Sequence, residues 1–189
     1  MIISMQQEGG GTYGVLAGSA EGRAFLAQMV QQTGRDPAEP QAILLDFTGV
    51  DVATSSYLRE GVVRLRDMLR SRRSNFYPIV ANAADTVLEE LTMLLHDHGD
   101  AMLACVTDGE GRPQKIEPIG RLEGVQQRMF DLVAEKGEIG AVEAQALFPG
   151  ETATVTAWNN RLAALAERGL VVELSRGRLK RYRPVLTEY

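Results

Sequence analysis

The stretch DFTGVDVATSSYL, Asp46 to Leu58, places a Ser-Ser pair at the head of a helix, directly after an apolar run that ends in Asp46. Backbone amides at a helix start stabilise anions, so Ser55 and Ser56 can bind an anion, carry a phosphate or simply cap the helix. A second group of residues with chemical potential lies far downstream. Arg176, Arg178, Lys180, Arg181 and Arg183 fall within eight positions that contain no acid. The chain as a whole carries a net charge of -5, so this local basic strip points to a specific site for an anionic partner. Three weaker patterns carry less. Gly9, Gly11 and Gly14 fit G-x-G-x-x-G, but the helix that a dinucleotide site requires begins only near Ser19, so a glycine-rich turn is the expected reading. His96 and His98 are two apart and point to different faces of a helix, which argues against a shared metal. Glu89 and Glu90 are adjacent and read as a solvated helix face. No Ser/His/Asp or Cys/His set is apparent, so neither an enzyme nor a cofactor is expected. Cys105, the single cysteine, reads as a small buried residue.

The elements that must position these residues follow from periodicity. MIISM reads as a first strand. Ser19 reads as the N-cap of a helix over 20–32, and AILLDF as a central strand covered on both faces. Leu58, Val62, Leu65 and Leu69, at spacings of four, three and four, predict a helix opened by Ser55 or Ser56. FYPIVAN is a further strand, Asp85 caps a helix through TVLEELTMLLHDH, and AMLACVTD is the next strand. The βαβαβαβ order predicts an α/β layer fold with a partly parallel sheet. TDGEGRPQKIEPIG, with three Gly and two Pro, reads as a turn, one short edge strand near Lys115–Glu117 and a linker, so the boundary between two domains falls near 119. Beyond it an amphipathic helix, a short helix stopped by Pro149 and a third helix follow. In the third, Val155, Trp158, Leu162 and Leu165 face inward. A β-hairpin turning at Gly177 closes the chain.

Residues 121–186 resemble a winged helix-turn-helix domain of the MarR-like type. The run NNRLAALAERGLV is similar to the end of a recognition helix, and VVELSRGRLKRYRPV to a wing. The resemblance implies an α+β domain that binds double-stranded DNA, and the side chains suit that task. Opposite the apolar stripe lie Thr154, Thr156, Ala157, Asn160 and Arg161. Thr contacts base edges or phosphates, Asn suits adenine, and Arg suits guanine or phosphate. Arg176, Arg178, Lys180, Arg181 and Arg183 would meet the backbone. Winged helices also dock proteins, and this alternative stays open.

Residues 1–118 are similar to STAS and STAS-like domains, most closely over 42–66, on Asp46, Phe47, Thr48, Gly49, Val50 and then Ser55, Ser56, Tyr57, Leu58. In anti-sigma-factor antagonists of that family the second Ser of Asp-Ser-Ser-Gly is phosphorylated by a partner kinase, and that residue maps onto Ser56. Thr54 stands where they carry Asp, and Tyr57 where they carry Gly. Together the two resemblances imply a bacterial regulator. Residues 1–118 would sense a protein partner or small ligand, and 119–189 would bind DNA, with a homodimer as the default assembly. The alternative is a partner-switching adaptor whose winged helix docks protein. The N-terminus lacks a basic, apolar leader pattern, and no stretch approaches the ~20 apolar residues of a membrane span, so a cytoplasmic location with no membrane partner is expected.

Overall fold

Every second residue of three central strands is apolar on one side and every other residue apolar on the other, and this dictates three layers. A computed structural model describes residues 1–176 and 179–187; the side chains of Ser175 and Arg176 are outside that description. Strands β1 (Ile2–Ser4), β3 (Gln41–Asp46), β5 (Phe76–Ala81), β6 (Ala101–Thr107) and β7 (Pro113–Gly120) form one sheet in the order β1-β3-β5-β6-β7. The first four are mutually parallel and β7 is antiparallel to β6. The protein is therefore mixed α/β with a mostly parallel central sheet. Ile43, Leu45, Val80, Met102 and Ala104 point to one face. They meet α2 (Ser19–Gln32), α3 (Ser55–Leu58) with its continuation into a π-helical turn (Arg59–Val63) and α4 (Arg64–Ser71), and α5 (Asp85–Asp97). The predicted stripe Leu58, Val62, Leu65 and Leu69 is wholly buried there.

The opposite face carries Leu44, Ile79, Ala81, Ala101, Leu103 and Cys105, and the C-terminal half covers it. That half contains α6 (Gly124–Lys136), α7 (Ala141–Ala146), α8 (Val155–Glu167) and a small antiparallel sheet. Its strands β8 (Ile139–Gly140), β9 (Val171–Arg176) and β10 (Leu179–Pro184) run in the order β8-β10-β9. Met129, Phe130, Val133, Trp158, Leu162 and Tyr182 join the sheet residues in a single apolar cluster. Burial in that cluster pushes the Cys105 thiol up to about 11, with the nearby Asp46 charge adding to it.

Several expectations are corrected. Residues 113–120 are not mostly linker: they form an eight-residue strand whose register shifts between Ala104 and Val106, beside Lys115 at φ +49°. Gly120 ends it at φ +96°, where a Cβ would lie 2.4 Å from the Asp100 carbonyl oxygen, so only glycine fits this corner. Gly18 rather than Ser19 precedes α2 as its cap residue, and Ala84 rather than Asp85 precedes α5. MIISM is strand only to Ser4, because Met5–Glu8 makes a helical turn (α1). Val155 faces outward at 39% exposure, three positions before Trp158, where the helix begins to bury its stripe. Val15–Leu16 (β2) pairs in parallel with Val52–Ala53 (β4), a contact that the sequence does not announce.

Candidate functional site

The serine junction lies where β4 hands over to α3. The cap is Thr54, not Ser55 or Ser56. Its backbone stays extended, and its Oγ1 accepts from the Tyr57 amide (3.4 Å) and the Gly18 amide (3.2 Å). Ser56 Oγ lies 3.1 Å from the same oxygen, and Ser56 is half-buried. The Ser55 amide donates to Glu90 Oε1 at 3.1 Å, so a carboxylate from α5 already occupies the helix start, and Glu90 is more than a solvated side chain. Tyr57 does not cover the serines. Its ring is buried against Phe25 and its hydroxyl donates to the Gly9 carbonyl at 2.7 Å. Burial pushes its phenol pKa up.

Asp46 has a structural role at the tips of the parallel strands. Its Oδ1 accepts from the Thr48 amide (3.1 Å), the Thr48 hydroxyl (2.8 Å) and Asn82 Nδ2 (2.9 Å). Asn82, at φ +53°, in turn accepts from the Thr107 amide at 2.8 Å, so β3, β5 and β6 are tied together by one network. Partial burial raises the Asp46 pKa, but the hydrogen bonds from Asn82 and Thr48 together outweigh it, and the carboxyl is held below its ordinary value. A depressed carboxylate contributes stability that is present above its unfolded pKa, about 4, and is lost as pH falls through the lower folded value. Asp46→Asn is expected to cost about 2 kcal/mol at neutral pH. The difference in urea midpoint from wild type should shrink below about pH 4; a pH-independent difference would contradict this role.

On α8, Trp158, Leu162 and Leu165 are fully buried, and the predicted reading face is placed opposite. Thr156 and Asn160 are exposed and Ala157 is half-buried. Thr154 is the N-cap, accepting from the Ala157 amide at 3.3 Å. Arg161 is not turned to solvent. It pairs with Glu151 at 3.0 Å, and its guanidinium lies 4.6 Å from the centre of the Trp158 ring. Arg128 reaches the same Glu151 at 3.3 Å. In the hairpin, Lys180 pairs with Glu173 (2.9 Å), while Arg181 spans Glu138 (2.5 Å) and Glu143 (2.9 Å). Those bonds hold the Arg181 guanidinium above and the Glu143 carboxyl below their ordinary values. Arg183 is half-buried and meets no carboxylate among the described residues. Arg178 and the Arg176 side chain lie outside the described residues.

Two residues of the basic strip, Lys180 and Arg181, are thus paired with acids in space. Sequence reasoning missed Glu138, Glu143, Glu151 and Glu173 because they come from other elements; Glu138 is 43 positions from Arg181. A second feature it missed is a cleft of about 590 Å³ between the halves, with Arg70, Arg73 and Tyr77 on one wall and Glu167, Glu173 and Lys180 on the other. Arg70 lies 3.9 Å from the Tyr77 ring centre and packs against Gly169, just after α8.

Among the described residues no helix is long and apolar enough to cross a membrane. No protein-family model matches the chain, and no curated protein matches it.

Proposed function

We propose that the chain is a bacterial, cytoplasmic DNA-binding regulator, with a STAS-like sensing half over 1–118 and a winged-helix half over 119–189 that binds duplex DNA as a homodimer. The observation that carries this reading is the division of α8: Trp158, Leu162 and Leu165 are wholly buried while Thr156 and Asn160 project from its first two turns. A helix anchored along one side and polar at its N-terminal end is what the major groove accepts. The ion pairs of Arg161, Lys180 and Arg181 mean that phosphates would compete with Glu151, Glu173, Glu138 and Glu143 for these cations. Duplex selection from a random pool should return a preferred sequence. Thr156→Ala with Asn160→Ala should then reduce its preference over random duplex by roughly tenfold or more, at about 1–3 kcal/mol per lost base contact. Arg183→Ala should weaken all duplexes alike and lower the salt slope by about one. No duplex binding at low salt would exclude this function.

The second reading, a partner-switching adaptor, draws on the same ion pairs, which leave the hairpin with fewer uncommitted charges, and on Ser56, whose neighbour Tyr57 is turned into the core. Ser56→Glu separates the two. A change in duplex affinity belongs to the first reading; a change in protein binding by a chain with no duplex affinity belongs to the second.

A further inference from the structure

The helical face of the N-terminal half contains a buried carboxylate held by more cations than it needs. α2 and the π-helical turn cross at Gly22 and Gly61. A Cβ on Gly22 would come within 2.8 Å of the Tyr57 carbonyl oxygen, and one on Gly61 within 3.2 Å of the Gly22 carbonyl oxygen. This close crossing, with the extra residue that a π-turn inserts, tucks Glu60 under the surface. Its side chain is 9% exposed, and three arginines converge on it: Arg64 Nη1 at 2.7 Å, Arg59 Nε at 3.3 Å and Arg23 Nη1 at 4.0 Å. Each of these arginines has half or more of its side chain in solvent, at 55%, 50% and 57% respectively. A buried carboxylate needs a cationic partner, but one suffices. Around Glu60 alone, three leave a surplus of two positive charges, in a chain whose net charge is negative.

Beside them a groove of about 220 Å³ runs between the π-turn and α5. Val63, Leu94 and Leu95 line it along with Arg59 and Arg64. Its acids, Asp67 and Asp100, share the buried Arg66, so cluster and groove together keep a surplus of one positive charge. Apolar floor and guanidinium rim together match the anatomy of protein-binding surfaces, where arginine is enriched and apolar anchors fill pockets.

We infer that this face docks an acidic segment of a partner protein, with carboxylates on Arg23, Arg59 and Arg64 around one apolar side chain in the groove. A sugar-phosphate backbone has no use for the apolar floor. The inference does not depend on the DNA reading, because the surface lies on the other half of the chain.

The test uses the full chain and a fluorescein-labelled decapeptide of alternating glutamate and leucine, followed by fluorescence anisotropy at low salt. A control peptide carries glutamine at every glutamate position. The acidic peptide should bind, with the glutamine control and the Arg59→Glu/Arg64→Glu variant each weaker by at least about tenfold, the factor that corresponds to roughly 1.4 kcal/mol. Circular dichroism melting checks that the variant, altered only at half-exposed positions, remains folded; should it not, Arg23→Ala with Arg59→Ala takes its place with the same expectation. Four results would overturn the inference: no binding up to about 1 mM peptide, equal binding by the folded variants, displacement of the peptide by random-sequence duplex, or a wild-type dimer in sedimentation that the variants abolish, since the occupant would then be a second copy.

Discussion

Trp158→Ala is expected to lower the unfolding free energy by about 3–5 kcal/mol. The indole is fully buried, stacks on Phe148 with centroids 5.1 Å apart and carries the Arg161 guanidinium near its ring. One feature moderates the loss. The indole N–H has no acceptor among the described side chains and backbone, and an unpaired buried donor costs about 1–3 kcal/mol. Alanine removes that burden along with the ring, so the lower part of the range is favoured. Trp158→Phe removes the donor and keeps much of the packing, and should therefore cost less than half as much as alanine. Trp158 is the sole tryptophan, so variant unfolding must be followed in urea by circular dichroism. A loss below about 1 kcal/mol for the alanine variant would mean that α8 is not anchored by this ring. Under the proposed function, a folded Trp158→Ala protein should also bind duplex poorly, because Thr156 and Asn160 depend on α8 for their position.

One helix stripe was fully legible from spacing alone, since Leu58, Val62, Leu65 and Leu69 are all wholly buried, whereas the stripe of α8 begins at Trp158 and leaves Val155 39% exposed. The capping residue ahead of Leu58 was not legible. Thr54, Ser55 and Ser56 all have the chemistry of a cap, and the choice falls to Thr54 because pairing of β4 with β2 keeps the chain extended up to that residue. Periodicity likewise gave no sign of the π-turn, since one inserted residue leaves the apolar spacing intact and shows only as the buried Glu60. Edge strand β7 was legible only in its middle, near Lys115–Glu117, and its full length was hidden by composition, as Pro113, Pro118 and Gly120 look like a linker until β6 is there to pair with them. The polar face of α8 and the basic hairpin were legible as residue types, but their ion pairs were not, because Glu151 reaches Arg161, and Glu138 and Glu143 reach Arg181, through tertiary structure. The near-continuous apolar runs of β3, β5 and β6 announced two covered faces. What covers the second one could be seen only once the C-terminal half was folded over it.

That shared face gives the second large effect. Leu103→Ala is expected to destabilise both halves together by about 2–5 kcal/mol. Leu103 is 2% exposed on β6 and belongs to the cluster that joins Leu44, Ile79 and Ala81 of the sheet to Phe130, Val133 and Val171 of the C-terminal half. It also borders an apolar cavity of about 450 Å³, so some of its surface already lacks neighbours, and the lower end of that range is the better expectation. Because the apolar cluster around Leu103 runs unbroken from the sheet into the C-terminal half, the loss must appear in both. Trp158 fluorescence reports the C-terminal half, and hydrogen exchange of the β3 and β5 amides reports the sheet. In Leu103→Ala both should shift by the same free energy, in one cooperative transition. Val106→Asp, on the same strand but 41% exposed, should shift neither by more than about 0.5 kcal/mol. If sheet amides lose protection while the Trp158 transition stays in place, the halves are thermodynamically separate. An event at Ser56 or at the arginine face then has no route to α8 through the sheet. If they move together, the sheet is that route: its helical side carries the serine junction and the arginine cluster, and its other side is packed against the C-terminal half.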